Sequence, residues 1–263
     1  MTDPQALFAD LAAEGDALDA IVADLSPEQW GIASPSPGWT IAHQIAHLTW
    51  TDDVAMLAAT DQQEFAARLT AALAAPTSFV DNAADEGAQL PTAELLARWR
   101  QGRAAMVDAV KAVPPGRKLP WFGPPMSAAS MATARIMETW AHGQDIVDGL
   151  GRTRQPTARL RHVAHIGVRT VGFAFAIHDL PVPAEPFRVE LTGPSGEAWT
   201  WGAPEAMNRV TGPALDFCLL VTQRRHPDDL HVEFLGEQAR EWATIAQAFA
   251  GLPGEGRKAG QFQ

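Results

Sequence analysis

Apolar positions in the first 150 residues recur every three or four residues, the period of an amphipathic helix. Leu7, Leu11, Leu18, Ile21, Val22 and Leu25 form the first stripe. Asp3-Pro4 gives its start: an N-cap residue, then proline at the first helical position, where no amide hydrogen is needed. Ser26-Pro27-Glu28-Gln29 is a second start signal, with Gln29 placed for a capping box. Ser34-Pro35-Ser36-Pro37-Gly38 reads as a turn, and Thr40 caps the next helix, IAHQIAHLTWTDDVAMLAA. The alanine-rich stretch from Gln62 to Ala75 either extends that helix or forms one of its own. Pro91-Thr92 opens a helix carrying Leu95, Leu96, Trp99, Met106, Val107 and Val110. A Pro/Gly-rich loop from Pro114 to Pro125 precedes Ser127 and a last helix running to Gly149 or Gly151, either of which suits a left-handed C-terminal turn. Four principal helices with polar outer faces predict a four-helix bundle over residues 1–151.

The pattern then changes. Thr157 to His178 still has helical spacing, and Pro181, Pro183 and Pro186 break it. FRVELTG and EAWTWG alternate with period two across Pro194-Ser195-Gly196, a hairpin signature. DLHVEFLG reads as a third strand, and helices over Pro213 to Thr222 and Glu237 to Phe249 alternate with the strands. The expectation is a mainly α chain: the bundle, then a small α+β domain over 152–253 with a short antiparallel sheet, then a loose tail over 254–263.

Composition narrows the function classes. Of 263 residues, 46% are hydrophobic and 19% charged, enough apolar material for a core and too much for disorder. Twenty basic against 31 acidic residues give a net charge of -11, which repels phosphate backbones and argues against nucleic-acid partners. No run of roughly 18 apolar residues is present, so no membrane-spanning helix is expected. The opening MTDPQALFADLAAEGD has acids where a signal peptide has basic residues, which points to the cytoplasm. The single cysteine, Cys218, lies in the apolar run LDFCLLV and reads as a small buried hydrophobe; alone it forms neither an internal disulfide nor a thiolate cage.

Histidine placement carries the candidate chemistry. His43 and His47 are four apart on one expected helix, and Glu138 and His142 four apart on another. Residues at i and i+4 share a helix face, so each pair can converge on one point. Two imidazoles and one carboxylate from facing helices make a divalent-metal site with positions open to water or substrate; zinc leads, with nickel and iron also suited. Such pairs are also common on helix faces that hold no metal. Trp39, Trp50, Trp121 and Trp140 are candidate walls of an apolar pocket, with plain structural packing the alternative for each, and Trp121-Phe122, in the Pro/Gly-rich loop, are the aromatics placed to touch a ligand. His162, His165, His226 and His231 have no carboxylate at ligand spacing and read as structural or solvent-facing. Phosphate-binding glycine loops, nucleophile elbows and Cys-x-x-Cys pairs are absent.

Two stretches together resemble a known family. Pro37-Gly38-Trp39-Thr40 with Ile45-Ala46-His47-Leu48, and Glu138-Thr139-Trp140-Ala141-His142-Gly143-Gln144-Asp145, are similar to the two signatures of the mycothiol-dependent maleylpyruvate isomerases, members of the DinB-like metal-binding bundles. The resemblance implies His47, Glu138 and His142 as metal ligands. His43 lies outside the matched ligand position; sharing a face with His47, it either lines the pocket or is merely a polar residue beside the site, and with Trp39 and Trp121 it is a candidate for contact with the cofactor. Asp145 lies where it orients an imidazole or serves as an ordinary surface carboxylate. Leu219-Leu220-Val221-Thr222-Gln223-Arg224 resembles the family's C-terminal W-L-T-G-R run, with Gln223 in place of glycine and leucine in place of tryptophan. It implies Arg224, with Arg225 next to it, as the group that binds an anionic carboxylate or enolate. The implied activity uses mycothiol as cofactor or co-substrate on a small electrophile, with isomerisation or S-transfer as the outcome. Two other readings stay open. One is thiol-independent metal hydrolysis of an amide or ester. The other is a non-enzymatic small-molecule carrier, since the α+β part resembles a sterol-carrier-like fold.

Overall fold

The computed structural model describes residues 4–251, 253–254 and 256–262; Asp3, half of the first expected cap, lies outside them. The chain divides into two compact units, Met1–Arg154 and Gln155–Gln263.

The first unit contains α1 (Pro4–Val22), α2 (Pro27–Trp30), α3 (Ile41–Thr60), α4 (Gln62–Ala74), α5 (Phe79–Ala88), α6 (Thr92–Lys111) and α7 (Ala128–Gly149). The long helices α1, α3, α6 and α7 form the bundle. The Ser26 capping box is present: Gln29 N–H donates to Ser26 Oγ at 3.4 Å and Ser26 N–H to Gln29 Oε1 at 2.9 Å. The Gln62 stretch is a helix of its own, begun by Asp61, whose carboxylate accepts from the amides of Gln63 and Glu64. Gly151, at φ 62°, makes the left-handed turn after α7.

Helix α3 packs against α4, α5, α6 and α7. Ile41, Ile45, Leu48, Val54 and Ala55 are all buried, so it is apolar on more than one face, as an interior helix must be. Helix α5 was not expected from sequence. FVDNAADEGA is too acidic to stand out, yet α5 lies so close to α3 that a Cβ on Gly87 would meet Ala46 Cβ at 2.7 Å. One charged pair crosses the bundle interior. Arg135 Nε on α7 donates to Asp52 Oδ1 on α3 at 2.9 Å, with the two residues 1% and 2% exposed. Burial pushes the Asp52 carboxyl upward and outweighs the opposing pull of the guanidinium. At the surface, Arg100 and Arg103 on α6 pair with Asp19 on α1.

The second unit contains α8 (Leu160–Arg169), α9 (Val171–Ile177), β1 (Phe187–Thr192), β2 (Ala198–Trp201), β3 (Asn208–Pro213), α10 (Ala214–Val221), β4 (Glu233–Leu235) and α11 (Glu237–Ile245). The sheet order is β2-β1-β3-β4. The expected β1–β2 hairpin forms, with Val189 opposite Trp201. The sheet is mixed, however, and not purely antiparallel: β3 runs parallel to β1, with Val189 beside Val210. The reason is a strand that sequence patterning missed. NRVTGP holds one buried aliphatic residue, Val210, and ends in Gly-Pro, which reads as loop punctuation. The short segment from β2 to β3 steps over the start of β1. It does so through Gly202, at φ 80°, where a Cβ would collide with the Phe187 carbonyl. Helices α10 and α11 pack on the sheet, and α8 and α9 pack on those helices. Trp242 is the centre of this core, with Phe187, Phe217 and Phe234 around its ring. In the tail, Gly260 N–H donates to the Asp229 carboxylate at 2.9 Å and Phe262 lies under the Arg225 guanidinium.

Candidate metal centre

Helices α3 and α7 bring the expected ligands together. His47, Glu138 and His142 each offer an atom within 4.8 Å of the other two. Glu138 Oε2 lies 3.2 Å from His142 Nε2 and 3.6 Å from His47 Nε2. The imidazole centroids are 4.4 Å apart. His47 is buried, and Glu138 and His142 are partly so. Burial works against the Glu138 charge, but the hydrogen bonds and charges of His142 and His47 overcome it and hold the carboxyl well below the usual range. A borderline cation suits this donor set of two imidazole nitrogens and one carboxylate oxygen.

Aromatic rings wall the group. Trp39 lies 5.3 Å from His47 and 6.1 Å from His142, centroid to centroid, and Trp50 lies 6.1 Å from His47. Trp39 Nε1 donates to Asp81 Oδ1 at 2.9 Å, so α5 holds this ring in place. Phe79 and Phe122 stand behind Trp50, each 5.8 Å away. The loop carrying Trp121-Phe122 is pinched at its base by two backbone hydrogen bonds between Leu119 and Met126.

The other expected residues are placed as follows. His43 closes the N-terminus of α3: its Nδ1 is 3.2 Å from Thr40 N and 2.7 Å from Thr40 Oγ1, and its Nε2 faces Asp85 Oδ1 at 3.1 Å. Trp121 packs against Phe65 and Phe122, one ring further from the imidazoles than Phe122. Trp140 is buried beneath Arg154, whose guanidinium lies 4.8 Å from its ring and donates to its carbonyl. Asp145 Oδ2 accepts from Ser36 Oγ at 3.3 Å. Arg224 belongs to the second unit, just past α10, where its Nη1 donates to the Thr222 carbonyl at 2.6 Å.

A family model described as the mycothiol maleylpyruvate isomerase N-terminal domain matches residues 11–147, more than half of the chain. This chain belongs to that family. The matched mycothiol maleylpyruvate isomerase domain contains His47, Glu138 and His142 together with both tryptophan walls. A second model, described as wyosine base formation, matches residues 183–233. Uncharacterized proteins from two strains of Mycobacterium tuberculosis, CDC 1551 / Oshkosh and H37Rv, are each 59% identical over 98% of this chain and 100% of their own length. Two solved structures share the fold: a mycothiol-dependent maleylpyruvate isomerase and a histidine-to-alanine mutant of it. Each has a TM-score of 0.58 at 15% identity and covers 84% of this chain and 89% of its own.

Sequence reasoning missed one residue at the centre. Gln44 is fully buried, and its Oε1 lies 2.6 Å from His142 Nδ1. Its Nε2 donates to Ser34 Oγ at 2.8 Å and to Ser36 Oγ at 3.2 Å. The available signal was its spacing, three residues before His47 and so on the same side of the helix.

Proposed function

We propose that this protein is a metal-dependent enzyme that brings mycothiol, as cofactor or co-substrate, to a small electrophilic organic molecule. The outcome is isomerisation if the thiol leaves again and S-transfer if it stays. The single observation that carries this reading is the convergence of His47, Glu138 and His142 on one point, inside a domain of the mycothiol maleylpyruvate isomerase family. A divalent cation there, with zinc the first candidate, supplies Lewis acidity and lowers the pKa of a bound thiol or water.

The chain's own residues support this chemistry. Glu138, with its carboxyl held well below the usual range, offers an anionic oxygen beside the two imidazoles. Trp39 and Trp50 flank His47, restrict the approach of water and present flat apolar faces to a small substrate. In this proposal Arg224 meets an anionic group of the substrate, Asp145 supports the histidine side of the site, and Trp39, His43 and Trp121 border the thiol. The setting is the cytoplasm. No helix among the described residues is long and apolar enough to cross a membrane.

The thiol has to come from outside. Cys218 is fully buried, its Sγ donates to the Leu160 carbonyl at 3.4 Å, and burial pushes its pKa far up. Ellman-type reagent is therefore expected to titrate no thiol in the native protein and one after denaturation. Stoichiometric labelling of the native protein would contradict this.

The deciding experiment assays the metal-loaded protein with mycothiol and either maleylpyruvate or a haloarene. Thiol-dependent turnover is expected. No turnover, together with no mycothiol binding by calorimetry, overturns the proposal. Thiol-independent hydrolysis of an ester, lost in His47→Ala, would move the protein to the hydrolases.

A further inference from the structure

A cleft of about 330 Å³ enters the first unit between α1 and α6, and none of His47, Glu138 and His142 lines it. Ala12 and Gly15 on α1 and Ala104 on α6 are too small to close the gap between the helices. Leu11, Trp99, Met106 and Val107 give it apolar walls.

Two lining side chains are more than nine-tenths buried: Asp52 of α3, 2% exposed, and Thr139 of α7, 6% exposed. Asp52 Oδ1 accepts from Arg135 Nε, but among the described residues nothing donates to Oδ2. Thr139 Oγ1 has no hydrogen-bond partner among them either. It does not turn back onto a carbonyl of its own helix, as the hydroxyls of Thr51 and Thr133 do. Buried polar atoms normally have partners, and leaving one without costs stability. Here the partner has to enter through the cleft. A single bridging water would leave most of the volume empty against Leu11, Met106 and Val107. An apolar cavity of about 150 Å³ already admits benzene, so this one has room for a ring with a polar head.

Charge selects the head. Asp52 and Arg135 form a pair of zero net charge, and Arg100 and Arg103 are engaged by Asp19 and Asp16. A cation would have to share Asp52 with a guanidinium, and an anion would face a carboxylate oxygen. Either ion would leave its hydration behind without full compensation. An uncharged carboxamide carries what the two open groups lack: N–H for Asp52 Oδ2 and a carbonyl for the Thr139 hydroxyl.

We propose that this cleft is a second binding site, for a small uncharged amide with an apolar body, recognised by Asp52 and Thr139. It stands independently of the metal centre.

The test titrates the full-length, ¹⁵N-labelled protein, without added metal, with benzamide, and then with benzoate and benzylamine as charged versions of the same ring. Saturable benzamide binding is expected in the millimolar range, with amide shifts at Ala12, Ala104 and Thr139. The two charged compounds are expected to bind at least about tenfold more weakly. Thr139→Val keeps the side chain's shape and is expected to weaken benzamide binding about 3–10-fold. Ala104→Trp, at an exposed position on the rim, is expected to abolish it. Absence of benzamide binding to the unmodified protein overturns the proposal. So do shifts confined to the surroundings of Trp39 and His47, equal affinity for benzoate or benzylamine, or undiminished binding in Ala104→Trp. None of these readings depends on the folding of Thr139→Val.

Discussion

Glu138→Gln is expected to weaken zinc binding by more than about 100-fold. Removing a partner that merely orients a metal-bound histidine costs about 10–100-fold, and Glu138 is placed as a ligand itself, the one anionic member of the group. The substitution keeps the side chain's volume and its place between His47 and His142, so the loss reports charge and donor strength, not repacking. Thermal or urea unfolding with and without metal gives a second reading. Zinc at 100 times the dissociation constant stabilises a folded protein by about 2.7 kcal/mol. At the same concentration, a variant with 100-fold weaker binding gains only about 0.4 kcal/mol. Equal affinity in Glu138→Gln and the unmodified protein would remove Glu138 from the site and the proposed chemistry with it.

The largest stability effect is expected away from that site. Asp52→Ala strands the Arg135 guanidinium in the bundle interior, at 1% exposure and with Nη2 already lacking a hydrogen-bond partner. Breaking such a pair from one side typically costs about 3–5 kcal/mol, because the remaining charge stays buried. That is a large share of the roughly 5–15 kcal/mol that holds a domain folded. The double variant Asp52→Leu/Arg135→Met removes both charges and is expected to recover most of the loss, since the pair pays for its own desolvation. Urea unfolding of both variants tests this. A cost below about 1 kcal/mol for Asp52→Ala would mean that water or another group already satisfies Arg135.

The pairing of Glu138 with His142 was legible in the sequence because its geometry is local. Four residues along a helix bring Glu138 and His142 to one face wherever that helix goes, and the tertiary structure only has to set α3 beside α7. The long helices were legible for the same reason: cap, periodic stripe and terminating glycine all lie within one segment. What escaped notice depends on partners distant in the chain. Gln44 has meaning only once the turn at 34–36 folds back over α3. Asp52 and Arg135, 83 positions apart in the chain, become partners only once α3 and α7 stand side by side. Strand β3 has too few apolar residues to announce itself and is specified by its neighbours β1 and β4. Helix α5 is recognisable by the close approach of Gly87 to Ala46, a contact between residues 41 positions apart in the chain.

The burial of Cys218 has a consequence for the protein's life among oxidants. Disulfide exchange needs a thiolate that can reach an attacking sulfur, and here the only sulfhydryl is shut inside the second unit with its proton held fast. The folded chain thus offers no handle for capture as a mixed disulfide when the surrounding thiol pool turns oxidising, and its redox inertness lasts as long as that core stays closed.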